Sequence, residues 1–172
     1  MTQPLAEVFG FPADNLTAIA EQHRIQKLCP FNNKVPGCTK DRLADPFGVC
    51  SVTDGNSQAI TCPIRFRENW IIASDAASFF FPPNVKYKTL TEIRLVDATG
   101  SAAGNIDAVI VQLNEAGEIV DFGSLEIQAV YISGNVRNPF AWYMDNRQQR
   151  SNADWTGQIF QDQITCHHLE ND

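Results

Sequence analysis

Apolar and polar residues alternate with two different periods along this chain, and the period changes from one segment to the next. Apolar positions three and four residues apart predict amphipathic helices at residues 15–28 and 69–81. We expect Asn15 to cap the first helix, and Pro82-Pro83 to end the second. Further helices are predicted at residues 4–9 and 141–149, and a segment at residues 155–164 is left without a type.

Short apolar runs and period-two alternation predict strands in the second half of the chain. Residues 49–64 are predicted as a hairpin that turns at Asp54-Gly55, a dipeptide favoured in tight turns. Residues 29–49 are rich in Pro, Gly, Asn and Asp and are predicted as a loop. This order of elements indicates an α/β fold with a mixed sheet, or alternatively an α+β fold. The later strands are predicted at residues 90–96, 106–113, 119–122 and 125–130.

Two of these predicted strands carry a carboxylate in an apolar setting. Asp107 falls in the strand at 106–113 and Glu126 in the strand at 125–130, where Gln128 follows two positions later. Side chains two apart on a strand share a face, so we expect Glu126 and Gln128 to lie together while their neighbours point into the core. Such carboxylates are costly unless they are paired, hydrogen-bonded or bound to a metal. A solvated sheet face is the alternative for Glu126 and Gln128, and a strand-opening position is the alternative for Asp107.

Four cysteines fall in one loop-rich stretch: Cys29, Cys38, Cys50 and Cys62. They are separated by eight, eleven and eleven residues without a C-x-x-C pair, so their spacing alone is a weak metal signal. A thiolate cluster in a protein that makes no disulfides would select zinc or iron, whereas ordinary buried cysteines are the alternative. The sequence Cys166-His167-His168 is left unassigned, because a terminal run of this kind is more often a solvated tail than a ligand set.

Length and composition limit the class of protein. The 172 residues suit a single domain, 1–172, with a sizeable core. The apolar runs are too short to span a bilayer. The start at Met1 has neither a basic nor an apolar signal region. We therefore expect a cytoplasmic protein that does not use a membrane.

The distribution of charge tells more than the net charge of −7, which by itself argues against a polyanionic partner. Residues 24–67 contain seven basic and three acidic residues, whereas residues 89–136 contain one basic and seven acidic residues. A basic segment beside an acidic core suits a protein that grips a polyanion and cuts it with a carboxylate-held cation. Scattered solvated charge is the alternative.

The cysteine segments and the Glu126 segment together resemble the NotI-type restriction endonucleases. The resemblance is carried by Cys29-Pro-Phe, Cys38-Thr-Lys, Gly48-Val-Cys50-Ser-Val, Cys62-Pro-Ile-Arg65 and Leu125-Glu126-Ile127-Gln128. It implies a PD-(D/E)xK nuclease fold, a mixed sheet flanked by helices, in which glutamine replaces the usual lysine. It also implies a catalytic sheet at residues 86–136 and a cysteine-rich metal-binding module at residues 29–67. In that module the four thiolates hold a structural iron ion, with zinc as the alternative.

The resemblance also implies roles for single residues. Asp107 and Glu126 would hold a catalytic Mg²⁺, with the Ile127 carbonyl as a candidate third ligand. Gln128 would position the attacking water, because an amide is not a general base. Glu92 is implied as a further acidic residue at the site, although a solvated strand face is its alternative. The implied activity is type II restriction of double-stranded DNA, by a homodimer at a GC-rich site. Candidate phosphate contacts are Arg65, Arg67, Lys86 and Lys88.

Two other functions stay open at this point. The first is a metal-stabilised DNA-binding module or fragment that is catalytically incomplete, because family members are expected to extend well beyond the catalytic strand. The second is a small disulfide-braced domain from an oxidising compartment. The odd number of cysteines and the missing signal region speak against this second alternative.

Overall fold

The computed structural model describes residues 3–129, 131–133, 135–146, 149 and 165–167. The chain divides into two compact units. Unit 1 consists of Met1–Arg65 together with Ala129–Asp172, and unit 2 is Phe66–Gln128. The four cysteines of the loop-rich stretch therefore belong to unit 1, and all four predicted catalytic residues belong to unit 2.

Unit 1 contains a four-stranded antiparallel sheet in the order β2-β1-β3-β4. Its strands are β1 (Leu5–Val8), β2 (Phe11–Pro12), β3 (Val49–Asp54) and β4 (Ser57–Ile60). The hairpin of β3 and β4 and its turn after Asp54 confirm the predicted hairpin. The helix predicted at residues 4–9 is wrong, because this segment is the strand β1. Leu5 and Val8 are both fully buried against β3, a pairing that the local spacing does not reveal.

Two helices flank this sheet within unit 1: α1 (Ala18–Gln26) and α3 (Arg137–Asp145). The side chain of Thr17 caps α1, and Asn15, the predicted cap, instead accepts hydrogen bonds from the amide and hydroxyl of Thr17. Tyr143 of α3 is fully buried and donates a hydrogen bond of 2.6 Å to the Ala13 carbonyl. Its ring joins the apolar core formed by β1 and β3.

Unit 2 contains a 3-10 segment (Pro63–Trp70, which begins in unit 1), the helix α2 (Ile71–Phe80) and a three-stranded antiparallel sheet in the order β5-β6-β7. The strands are β5 (Lys86–Val96), β6 (Ala102–Leu113) and β7 (Ile119–Leu125). The prolines after Phe81 follow the end of α2, as predicted. A β-carbon at Gly123 would lie 2.4 Å from the Phe80 ring, so the glycine allows α2 to approach β7 closely.

Two predictions about the sheets need correction. Every strand pair in the described ranges is antiparallel, so the fold is α+β and the predicted mixed sheet is wrong. Short turns after β5 and β6 explain this, because a hairpin connection makes neighbouring strands antiparallel. The predicted strands at 119–122 and 125–130 are one strand, β7, which ends at Leu125.

A short antiparallel pair in unit 1 completes the described elements, β8 (Tyr131–Ser133) with β9 (Thr165–His167). The backbone of Cys166 and His167 lies in β9, whereas His168 and the segment at 155–164 lie outside the described residues. No helix in the described ranges has the length and apolar character needed to cross a membrane.

Candidate active site and cysteine cluster

The register of the unit 2 sheet brings three predicted acidic residues into line. Ala108 of β6 pairs with Leu125 of β7, so Asp107 and Glu126 are the next residues along the two strands. On the other side, the pairs Thr91 with Ala108 and Ile93 with Ile106 place Glu92 of β5 opposite Asp107. Residues opposite each other in antiparallel strands lie about 5 Å apart. Glu92 of β5, Asp107 of β6 and Glu126, the residue directly after β7, therefore form a row along the sheet.

Asp107 holds the segment that follows β7. Its Oδ2 accepts a hydrogen bond of 2.8 Å from the backbone amide of Ile127, which lies between Glu126 and Gln128. This amide is bound to a side chain instead of a strand carbonyl, which explains why the ladder stops at Leu125. The prediction that Glu126 and Gln128 lie on a strand is therefore wrong. Both side chains are nevertheless exposed while Ile127 is half-buried, as the predicted alternation requires.

Glu92 is the most unusual residue of the row. Its φ of 54° lies in the left-handed region, in the middle of a strand where values near −140° are normal. Its Oε1 accepts a hydrogen bond of 3.2 Å from Nη2 of Arg67, whose side chain is only 8% exposed. Arg67 was predicted as a phosphate contact, but its charge is directed at Glu92 instead. The sequence carries no local sign of this pair, which joins residues 25 positions apart.

The cysteine segments of unit 1 are held by backbone hydrogen bonds. Leu28 and Gly37 form an isolated bridge, with the Cys29 amide bound to the Pro36 carbonyl and the Cys38 amide bound to the Lys27 carbonyl, each at 2.8 Å. Cys50 lies on β3, and Cys62 is the second residue after the end of β4. The Thr61 amide donates to the Cys50 carbonyl at 2.9 Å. The four cysteines thus form two pairs: Cys29 and Cys38 in the loop, and Cys50 and Cys62 at the hairpin.

The four cysteines carry thiols that form no disulfide, and these thiols lie close enough to act on one another electrostatically. Burial raises the pKa of Cys38, and the thiolates of Cys29 and Cys62 raise it further. Burial likewise raises the pKa of Cys50, and Cys62 and Cys29 add to this effect. Thiols in place of disulfides at all four positions speak against the disulfide-braced alternative.

Backbone amides already support two of these thiols. The amide of Lys40 donates to the sulfur of Cys38, and the amide of Gly10 donates to the sulfur of Cys50. Donors of this kind stabilise a thiolate, the form that binds metals. Across the part of the chain that the structure describes, however, no three His, Cys, Asp or Glu side chains are arranged so that they could hold a metal ion. This applies to the thiols and to the carboxylate row alike.

The other predicted phosphate contacts have different surroundings. Arg65 forms a two-pronged ion pair with Glu7, with contacts of 2.9 to 3.1 Å, and its guanidinium lies 4.5 Å from the centre of the Phe31 ring. This geometry indicates a structural role within unit 1. Lys86 and Lys88 lie on β5 with exposed side chains, which is compatible with the predicted contact.

Comparison with known proteins identifies the family. The family model described as restriction endonuclease NotI matches residues 13–165, which is most of the chain. No curated protein matches the chain. The match includes the four cysteine segments, the row of carboxylates and Gln128. It confirms the resemblance inferred from the sequence, with DNA as the substrate. The chain belongs to the NotI restriction endonuclease family and is a site-specific deoxyribonuclease.

Proposed function

We propose that the chain cleaves double-stranded DNA as a type II restriction endonuclease of the PD-(D/E)xK class, with Mg²⁺ held by Asp107 and Glu126. The observation that supports this proposal is the row formed by Glu92, Asp107 and Glu126. Like charges on adjacent strand positions repel each other. Arg67 neutralises Glu92 at one end of the row, which leaves Asp107 and Glu126 as the pair that a divalent cation would compensate.

The residues present suit this cation. Proteins commonly bind Mg²⁺ through one or two carboxylates, with water and substrate phosphate completing the shell. The half-buried Asp107 and the exposed Glu126 supply two carboxylates at the end of one hairpin. Asp107 uses Oδ2 to hold the Ile127 amide, and its carboxylate would still have Oδ1 to offer to the cation. The exposure of Glu126 leaves space for a DNA backbone beside the site.

Each residue of this site has a distinct task in phosphodiester hydrolysis. Bound Mg²⁺ supplies charge stabilisation at the phosphate and lowers the pKa of water. The exposed Gln128 amide orients the attacking water by hydrogen bonding, because it has no proton-accepting pKa in the required range. Asp107 fixes the position of this amide indirectly, through the Ile127 backbone.

Glu92 is proposed as a supporting residue of the same site. A left-handed φ at a non-glycine residue costs about 1–2 kcal/mol and persists where the surroundings enforce it. Such strain concentrates at functional sites. The buried Arg67 holds the strained Glu92 by its carboxylate, so that it stays at the end of the row beside Asp107.

Structural iron at the four cysteines, with zinc as the alternative, is the second part of the proposal. Four thiols within one unit supply the soft ligands that both metals prefer. The amide donors to Cys38 and Cys50 support the thiolate form. The fit is one of donor chemistry, and the side chains would have to close around the ion. A homodimeric assembly and a GC-rich target site also belong to this proposal.

A cleavage assay with matched carboxylate variants tests the catalytic part. Long duplex DNA with many GC-rich sites is incubated with the protein and either Mg²⁺ or EDTA. We expect discrete fragments with Mg²⁺ only. Glu126→Gln and Asp107→Asn should each lower the cleavage rate by at least ~1000-fold, because metal binding contributes several kcal/mol at the transition state. The control is Glu115→Gln, an exposed carboxylate in the turn after β6, which should cleave like the original protein.

The possible results separate the alternatives. Cleavage that persists in Glu126→Gln would contradict the proposed site. Tight DNA binding without any Mg²⁺-dependent product would favour the catalytically incomplete binding module. Circular dichroism of each variant checks that the fold is intact.

A further inference from the structure

Lys40 connects separate cysteine segments through its side chain. Its ammonium donates hydrogen bonds of 2.7 Å to the Val49 carbonyl and 3.0 Å to the Thr61 carbonyl, and lies 3.2 Å from the Thr61 hydroxyl. Val49 directly precedes Cys50, and Thr61 directly precedes Cys62. One ammonium therefore joins the two backbone segments that carry the buried thiols.

The backbone of Lys40 reaches the third cysteine. Its amide donates to the sulfur of Cys38, two residues earlier in the chain. The Cys38 segment is in turn bound to the Cys29 segment through the bridge between Leu28 and Gly37. Lys40 is thus bonded to three cysteine segments directly and to the fourth through one further contact.

The surroundings of the ammonium suit a fixed positive charge. The side chain is half-buried, and its nitrogen lies 5.4 Å from the centre of the Phe47 ring, within the range of a cation–π contact. The loop that carries both residues is closed by the Phe47 amide, which donates to the Lys40 carbonyl at 3.0 Å.

We propose that Lys40 is a positioning residue of the four-cysteine site. It holds the Cys38, Cys50 and Cys62 segments in place before a metal binds, and its charge offsets part of the negative charge of the four thiolates afterwards. Four thiolates around a divalent ion carry a net charge of about −2, so one fixed cation removes a large part of it. The inference rests on the metal site proposed above, and extends it to a residue that is no ligand.

Binding of Co²⁺, which replaces zinc or iron and gives a thiolate charge-transfer absorption, tests the proposal. The metal-free, reduced protein is titrated with Co²⁺ against a competing chelator, and alkylation of the thiols is followed in parallel. Lys40→Gln keeps hydrogen-bonding atoms but removes the charge. It should lower the Co²⁺ affinity about 10–100-fold, the usual effect of losing a residue that supports metal ligands. Lys40→Arg should restore most of it, and Lys34→Gln, an exposed lysine in the same loop, should bind like the original protein.

The reduction potential of the iron-loaded protein distinguishes the charge from a purely structural role. Loss of a nearby positive charge should make the Fe³⁺/Fe²⁺ potential more negative in Lys40→Gln but leave it nearly unchanged in Lys40→Arg. Equal Co²⁺ affinity in Lys40→Gln and in the original protein would overturn the proposal. Absence of Co²⁺ binding by the original protein would overturn it together with the metal site. The Mg²⁺-dependent cleavage assay would still decide the nuclease function separately.

Discussion

Charged side chains serve different purposes in the two units. In unit 1, Arg24 is fully buried and donates to the Asn15 and Pro12 carbonyls at 2.6 and 2.8 Å, and Glu7 and Arg65 form a largely buried ion pair. In unit 2, Glu92 and Glu126 remain exposed beside the half-buried Asp107. Charge stabilises the fold of unit 1, whereas in unit 2 it lies where a cation and a polyanion could reach it.

This comparison shows why the charge of a segment is a weak guide to its partner. The basic stretch at residues 24–67 suggested a surface that grips a polyanion. Hydrogen bonds or ion pairs within the chain instead engage Arg24, Lys27, Lys40, Arg65 and Arg67. A charge that is already paired adds little to the outside field.

The largest effect is expected where the buried pair of unit 1 is broken. Glu7→Ala leaves Arg65 and the Ser51 hydroxyl without their shared acceptor, so the free energy of unfolding should fall by about 3 kcal/mol. Hydrogen exchange followed by mass spectrometry should locate the loss of protection in β1 and β3. Asp45→Ala removes the exposed pair with Lys27 and is the control, with a change close to zero. Equal protection in Glu7→Ala and Asp45→Ala would contradict the division of roles between the units.

Arg67→Gln tests the role of charge in unit 2, where the buried Arg67 pairs with Glu92, the proposed supporting residue of the site. Without the Arg67 guanidinium, the strained Glu92 should be held less firmly at the end of the row. The cleavage rate should drop about 10–100-fold, with DNA affinity little changed. Single-turnover cleavage separates the two quantities. The matched control is Arg94→Gln, which removes an exposed cation on β5, the strand that carries Glu92. If Arg67 were a phosphate contact, DNA binding would weaken instead and become less dependent on salt.

Much of the sheet in unit 2 was predictable from local pattern. The hairpins of β5, β6 and β7 follow from short turns between apolar runs, and their register then aligns Asp107 with Glu126. The strand β1 was not predictable. Four residues from Leu5 to Val8 fit a helix or a strand equally, and only the pairing with β3, more than 40 positions later, decides between them.

The same distinction holds for the candidate site. Asp107, Glu126, Gln128 and the cysteines were identified because they stand in short motifs. The contacts of Arg67 and Lys40 were missed because they depend on residues 25 and 21 positions away. The end of β7 at Leu125 was missed for a related reason. A carboxylate on the neighbouring strand, that of Asp107, takes the amide that would have continued the ladder.

The smallest effects concern two exposed aspartates, one in each unit, whose pKa values both lie below the ordinary value for different reasons. Asp97 accepts hydrogen bonds from the Thr99 hydroxyl and from the amides of Thr99 and Ser101, all neutral donors. Asp41 accepts a hydrogen bond of 2.7 Å from the Arg137 guanidinium, and this bond is the main cause of its lowered pKa. Since a lowered pKa favours the charged form in the folded state, each contribution to stability is present above the unfolded pKa of about 3.9. It is lost as the pH falls through the lower folded value.

High salt should change the pKa of Asp41 but not that of Asp97. At about 1 M salt the Debye length is only ~3 Å, so the attraction between Asp41 and Arg137 is screened and the pKa of Asp41 should rise. The pKa of Asp97 should hardly move, because its neutral donors do not depend on long-range charge. Carboxyl carbon chemical shifts measured from pH 7 to pH 2 at low and high salt give both values in one experiment. A pKa of Asp97 that rises as much as that of Asp41 would show that unit 2 also lowers its carboxylate pKa values through net charge rather than through local hydrogen bonds.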